Sequence, residues 1–135
     1  GEEQNAAQQI GALLRSLPLQ PAPPLALRST SQKISERILT NLAEPPTLDA
    51  LAAEFSLRKE TLIRIFKQDT GLTPGSFLNM ARVEFARGRL RAGDTLADIG
   101  YQTGFADQSH LGRWFRRAYQ LTPAQYRRLC SNIPD

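Results

Sequence analysis

Hydrophobic positions recur at helical spacing along most of the chain, and from Thr47 onward the pattern is written twice. Thr47-Leu48 and Leu51 return 48 positions later as Thr95-Leu96 and Ile99. Arg64-Ile65-Phe66-Lys67 returns as Arg113-Trp114-Phe115-Arg116, and Leu72-Thr73-Pro74 as Leu121-Thr122-Pro123, now at an offset of 49. One residue has therefore entered the second copy, in the turn around Phe105 to His110. A repeat constrains the fold more firmly than local propensity, because each copy must build the same supersecondary unit. Each copy reads as a short helix, a tight turn, a second amphipathic helix and a Thr-Pro start to a third. That is the helix-turn-helix plan, whose second helix can lie in the major groove of DNA.

Residues 2–17 predict one helix, with Ile10, Leu13, Leu14 and Leu17 on a single stripe. Pro18 stops it, and Pro21, Pro23 and Pro24 stiffen a linker to about Ser29. The stripe needs a partner. It is expected to end a preceding sensing or oligomerisation domain, or to self-associate; folding back onto the repeat is the alternative. The next helix is expected from Ser31, its N-cap, to about Ala43, with Ile34, Ile38, Leu39 and Leu42 inward and Pro45-Pro46 ending it. Thr47 then caps a short helix through Phe55 that buries Leu48, Leu51 and Ala52.

The helix from about Lys59 to Thr70 is the informative one. It sets Leu62, Ile65, Phe66 and Asp69 on one face and Glu60, Ile63, Arg64 and Lys67 on the other. Gly71 closes it in the left-handed cap position. Thr73-Pro74 opens a long helix to about Arg91, whose inner face is Phe77, Leu78, Ala81, Phe85 and Leu90. In the second copy Thr95 caps a helix with Leu96 and Ile99, and Gly104-Phe105 turns the chain. The following helix buries Leu111, Trp114, Phe115 and Ala118, leaving Ser109, Gly112, Arg113 and Arg116 outward and Gln108 at its start. Thr122-Pro123 opens the last. No stretch alternates as a strand would.

The fold class is all-α: two helix-turn-helix subdomains joined by a long linker helix, preceded by an extra N-terminal helix and Pro-rich linker. Residues 1–29 hold that extra helix and linker. The double helix-turn-helix follows at 30–135, with a first unit at about 31–72, a linker helix at 73–92 and a second unit at 95–132.

Composition narrows the function. The chain has 135 residues, 41% of them hydrophobic, enough for one domain or two small ones. No apolar run is long enough to cross a membrane and no signal peptide is visible, so a cytoplasmic location is expected. Cys130 is the single cysteine, so no internal disulfide can form. Net charge is +4, yet residues 1–45 balance, with Arg15, Arg28, Lys33 and Arg37 against Glu2, Glu3, Glu36 and Glu44. The surplus lies in the repeat, which suits a polyanionic partner; solvated surface charge is the plainer explanation.

Several motifs together resemble the AraC/XylS family of bacterial transcription regulators. They are Leu62-x-Arg64-x-Phe66-Lys67, the run Thr70-Gly71-Leu72-Thr73-Pro74, the long segment from Ile99-Gly100-Tyr101 through Gly104-Phe105 to Arg113-Trp114-Phe115-Arg116, and Leu121-Thr122-Pro123-x-x-Tyr126-Arg127. The resemblance covers about residues 30–130. It implies two helix-turn-helix units on a long helix, double-stranded DNA as partner, RNA polymerase as a second partner, and a separate sensing or oligomerising domain. Carried over by position, it puts base reading on Glu60, Ile63 and Arg64 in the first unit and on Gln108, Ser109, His110 and Arg113 in the second. The outward faces read from periodicity give nearly the same set. Two departures stand out: the family usually caps each recognition helix with Ser, where this chain has Arg58 and Ala106. Ser56 or Asp107 can take over, or the first turns fray.

Arg64 and Arg113 can each present a planar fork to guanine O6 and N7, the alternative being a phosphate contact or a surface ion pair. Gln108 can pair with adenine or merely cap its helix. Ile63 can meet a thymine methyl or be covered by a neighbouring helix. Glu60 repels phosphate, so accepting from cytosine N4 is its sensible use, and an ion pair with Arg64 its alternative. Lys59, Lys67, Arg116 and Arg117 suit phosphates. His110, the only histidine, lacks partners at metal-ligand spacing and reads as a packing or DNA-edge residue. With no nucleophile constellation, no phosphate loop and no need of a cofactor, an enzyme is rejected. The rival function is a helical protein-interaction module that uses the same fold without DNA.

Overall fold

Capping chemistry sets the helix starts. The computed structural model describes residues 29–131, and among them lie seven α-helices and no strand. They are α1 (Thr30–Thr40), α2 (Leu48–Glu54), α3 (Lys59–Thr70), α4 (Pro74–Ala92), α5 (Leu96–Thr103), α6 (Gln108–Tyr119) and α7 (Pro123–Ser131). The hydroxyls of Thr47, Thr73 and Thr95 each accept from the amide three residues on, at 3.1–3.2 Å. Each such cap stabilises its helix by about 1 kcal/mol. Thr122 and Gln125 close α7 with a reciprocal pair: the Gln125 amide donates to Thr122 and the Thr122 amide to Gln125. The expected helix at 2–17 and its Pro-rich linker lie outside the described residues.

The first helix departs from expectation at both ends. Its N-cap is Ser29, not Ser31, because Gln32 reaches back to the Ser29 amide at 2.9 Å and completes a capping box. Three residues past Ser31 stands Ile34, which has nothing to offer in return. Ser31 instead lies buried in the first turn and donates to Asp69 on α3 at 2.6 Å. The helix also stops at Thr40 rather than Ala43, since Asn41 turns extended and its side chain accepts from the Glu44 amide at 3.1 Å. Leu39 and Leu42, both expected inward, are only half-buried.

One core runs through both copies. Ile34, Ile38, Leu51, Leu62 and Phe66 fill the first, and Ile99, Leu111, Phe115 and Ala118 the second. Both close on α4. There Phe66 meets Phe77 edge-on at 5.3 Å. Phe115 meets Tyr119 at 5.1 Å and Tyr126 at 5.7 Å. Because units pack on α4 from more than one side, its buried positions spread round the helix: Phe77, Met80, Ala81, Val83, Glu84, Ala86 and Leu90. A single-stripe reading missed this. Phe85, expected inward, is exposed, and the buried position three residues after Ala81 belongs to Glu84. Trp114 and Ile65 are likewise half-buried rather than core, and Asp69 is exposed.

Candidate nucleic-acid interface

The second helix of each unit presents a mixed polar and basic face. On α3, Glu60, Arg64 and Lys67 follow one another at helical spacing and are exposed, with Ile63 half-buried beside them. On α6, Gln108 and Ser109 are exposed in the first turn, and Arg113 and Arg116 continue that face; Gly112 is half-buried. Among the described residues no ion pair engages Arg64, Lys67, Arg113 or Arg116, so their charge stays available. The Glu60–Arg64 pair that helical spacing permits is not formed.

Three residues of the expected set are already engaged. Lys59 pairs with Asp49 of α2 at 3.1 Å, a bridge exposed on both sides and therefore weak. Arg117 stacks over the Trp114 ring at 4.9 Å. His110 is half-buried: its Nε2 accepts from Trp114 Nε1 at 3.1 Å, and its ring meets Phe105 at 5.1 Å. Of the two roles expected for this histidine, packing or DNA edge, the contacts here are those of packing, and one nitrogen is already in use.

The two helices start differently. Asp107 caps α6 by accepting from the His110 amide at 2.7 Å. At α3, Arg58 gives no capping bond, and Ser56 lies in a left-handed turn (φ 55°) instead of capping.

A partly buried polar network centred on Glu84 anchors α6 from behind, and periodicity did not reveal it. Glu84 on α4 holds Arg87 through two contacts, at 2.6 and 3.0 Å, and accepts from the Tyr119 hydroxyl at the end of α6. Arg87 also reaches the Tyr126 hydroxyl at 3.3 Å. The hydrogen bond to Glu84 holds the Arg87 guanidinium above the usual arginine range. Burial, then the bond to Glu84, pushes the Tyr119 phenol up. A lone carboxylate inside an apolar helix face, with arginine three residues on, was the available signal. No group of side chains among the described residues could hold a metal ion.

A helix-turn-helix domain model matches residues 51–129. The transcriptional activator RhaS of Escherichia coli is 41% identical over 88 residues, covering 64% of this chain. The chain spans about a third of the length of that relative, 32%. Among solved structures, an AraC-type regulator from Chromobacterium violaceum superposes with a TM-score of 0.70 at 24% identity, covering 78% of this chain and 95% of that one. The DNA-binding domain of AdpA, solved with a target DNA, gives 0.68 at 27% identity, with 76% and 93% covered. The chain belongs to this helix-turn-helix family. Within it, the chain is an AraC/XylS-type DNA-binding domain.

Proposed function

We propose that this domain reads an asymmetric DNA site as a monomer, with α3 and α6 in successive major grooves. The carrying observation is the pair of exposed basic faces on the second helix of each repeat, joined by one 19-residue helix. At 1.5 Å per residue α4 is about 28 Å long, close to the roughly 34 Å of one DNA turn. Arg64 and Arg113 would read bases, with Glu60, Ile63, Gln108, Ser109 and His110 at neighbouring edges. Lys59, Lys67, Arg116 and Arg117 would meet phosphates. Unlike outward residues on the two helices make the half-reads unlike. In the full-length protein we propose a sensing or oligomerising domain and contact with RNA polymerase, supported by the greater length of RhaS and its description as an activator.

Selection of bound sequences from random DNA, followed by hydroxyl-radical footprinting, tests the reading. Two protected patches about one turn apart are expected. Arg64→Ala or Arg113→Ala should relax preference at particular base pairs. Lys67→Ala should weaken all sequences alike and lower the salt slope by about 1. A single short patch unchanged by Arg113→Ala would overturn it.

A further inference from the structure

The two recognition helices are joined by more than α4. Arg82, midway along that helix, donates from Nε to the Leu42 carbonyl at 2.9 Å, in the segment between α1 and α2. Its guanidinium also stands 5.5 Å from the Phe105 ring centroid, in the turn before α6. Phe105 packs on His110, and His110 holds Trp114. One arginine therefore touches the first unit's loop and, through two rings, the opening turns of the second recognition helix.

Neither a surface charge nor a salt bridge accounts for Arg82. No ion pair to it exists among the described residues, and burial pulls its guanidinium below the ordinary arginine value. A second observation falls at the same joint. Gly104 adopts φ +74°, and a Cβ there would lie 2.5 Å from the Ala43 carbonyl oxygen and 2.7 Å from its Cα. Backbone meets backbone across the units, and only glycine fits.

We infer that Arg82 and the Ala43–Gly104 contact form a brace that fixes the separation of α3 and α6, making half-site spacing a feature the protein recognises. The inference rests on the two-groove reading above. Arg82 is a positioning residue and meets no base. One extra base pair shifts a half-site by about 3.4 Å and rotates it by roughly a tenth of a turn. A braced pair cannot follow that displacement, whereas units hinged on one helix can.

Two measurements test this. On the selected site, the wild type should lose on the order of 100-fold in affinity when one base pair is added between half-sites. Arg82→Met should cut that penalty about tenfold while base preferences within each half stay the same. Arg82→Lys, which can still donate to Leu42, should restore part of it, and Gly104→Ala should relax spacing as Arg82→Met does. In the DNA-free protein, spin labels at Ala53→Cys and Ala124→Cys, with Cys130→Ser, should give a distance distribution that broadens in Arg82→Met and Gly104→Ala. Unchanged widths in both variants, each confirmed folded by circular dichroism, would overturn the brace. Broadened widths with an unchanged spacing penalty would overturn its role in recognition. A wild type indifferent to spacing would overturn that role too, whereas a single footprint patch would remove the two-groove reading and leave the label distances to decide the brace.

Discussion

The two recognition helices come from one repeated pattern and are held in opposite ways. Helix α6 is fastened along its length: Asp107 caps its start, His110 and Trp114 lock its first turns, and Tyr119 ties its end to buried Glu84. Helix α3 starts without a cap and relies on Leu62 and Phe66 against the core, with Asp69 receiving Ser31. A duplicated fold thus allows the polar scaffolding to differ while the apolar plan stays the same. We expect the fastened helix to hold its shape before DNA arrives and the other to firm up on contact.

The comparison breaks most visibly in the core. Phe66→Ala and Phe115→Ala should each cost about 3–5 kcal/mol, because each is fully buried. Urea unfolding followed by circular dichroism should show one transition in both variants, as a shared core on α4 requires. Two separate transitions, with only one displaced, would mean the units are independent. Next come the polar ties. Glu84→Ala should cost about 3 kcal/mol, leaving Arg87 without its carboxylate and the Tyr119 hydroxyl without its acceptor. Ser31→Ala in the first unit should cost only about 1 kcal/mol. Equal losses would erase the contrast.

Smaller effects sharpen it at the helix starts. Asp107→Ala should lose about 1 kcal/mol, whereas Arg58→Ser should gain a similar amount by supplying the missing cap. Amide exchange in the first turns of α3 and α6 would localise both changes. The weakest test uses alkali. Tyr119 has its phenol pKa raised in the folded state, so its contribution is complete below the unfolded value of about 10 and is lost as pH rises beyond it. The wild type should therefore lose stability more steeply than Tyr119→Phe above pH of about 10. Parallel curves would remove Tyr119 from the tie.

Much of this was readable from residues alone. The repeat placed both helix-turn-helix units, and the threonine caps and Gly71 set most helix boundaries, because caps act within three residues. Contacts that depend on tertiary crossing were not readable. Ser29 outcompeted Ser31 only through Gln32, a partner choice that periodicity ignores. Phe85, expected inward, is exposed while Glu84 is buried, because α4 is packed from several directions, which one stripe cannot describe. Most outward positions of α3 and α6 did follow from spacing, since helical phase turns Glu60, Arg64, Lys67, Ser109, Arg113 and Arg116 away from the core. Ile63 and Gly112 are half-buried by their neighbours.

The approach of Gly104 to Ala43 bears on how this domain can drift over generations. Surface loops ordinarily absorb insertions and deletions at little thermodynamic cost. Here residues 41–46 form such a loop by position, yet Arg82 holds one of its carbonyls and Gly104 presses on the next residue. Adding or removing a residue would dislodge both contacts at once. Length variation should therefore accumulate elsewhere, leaving this connector among the most length-constrained stretches of the chain.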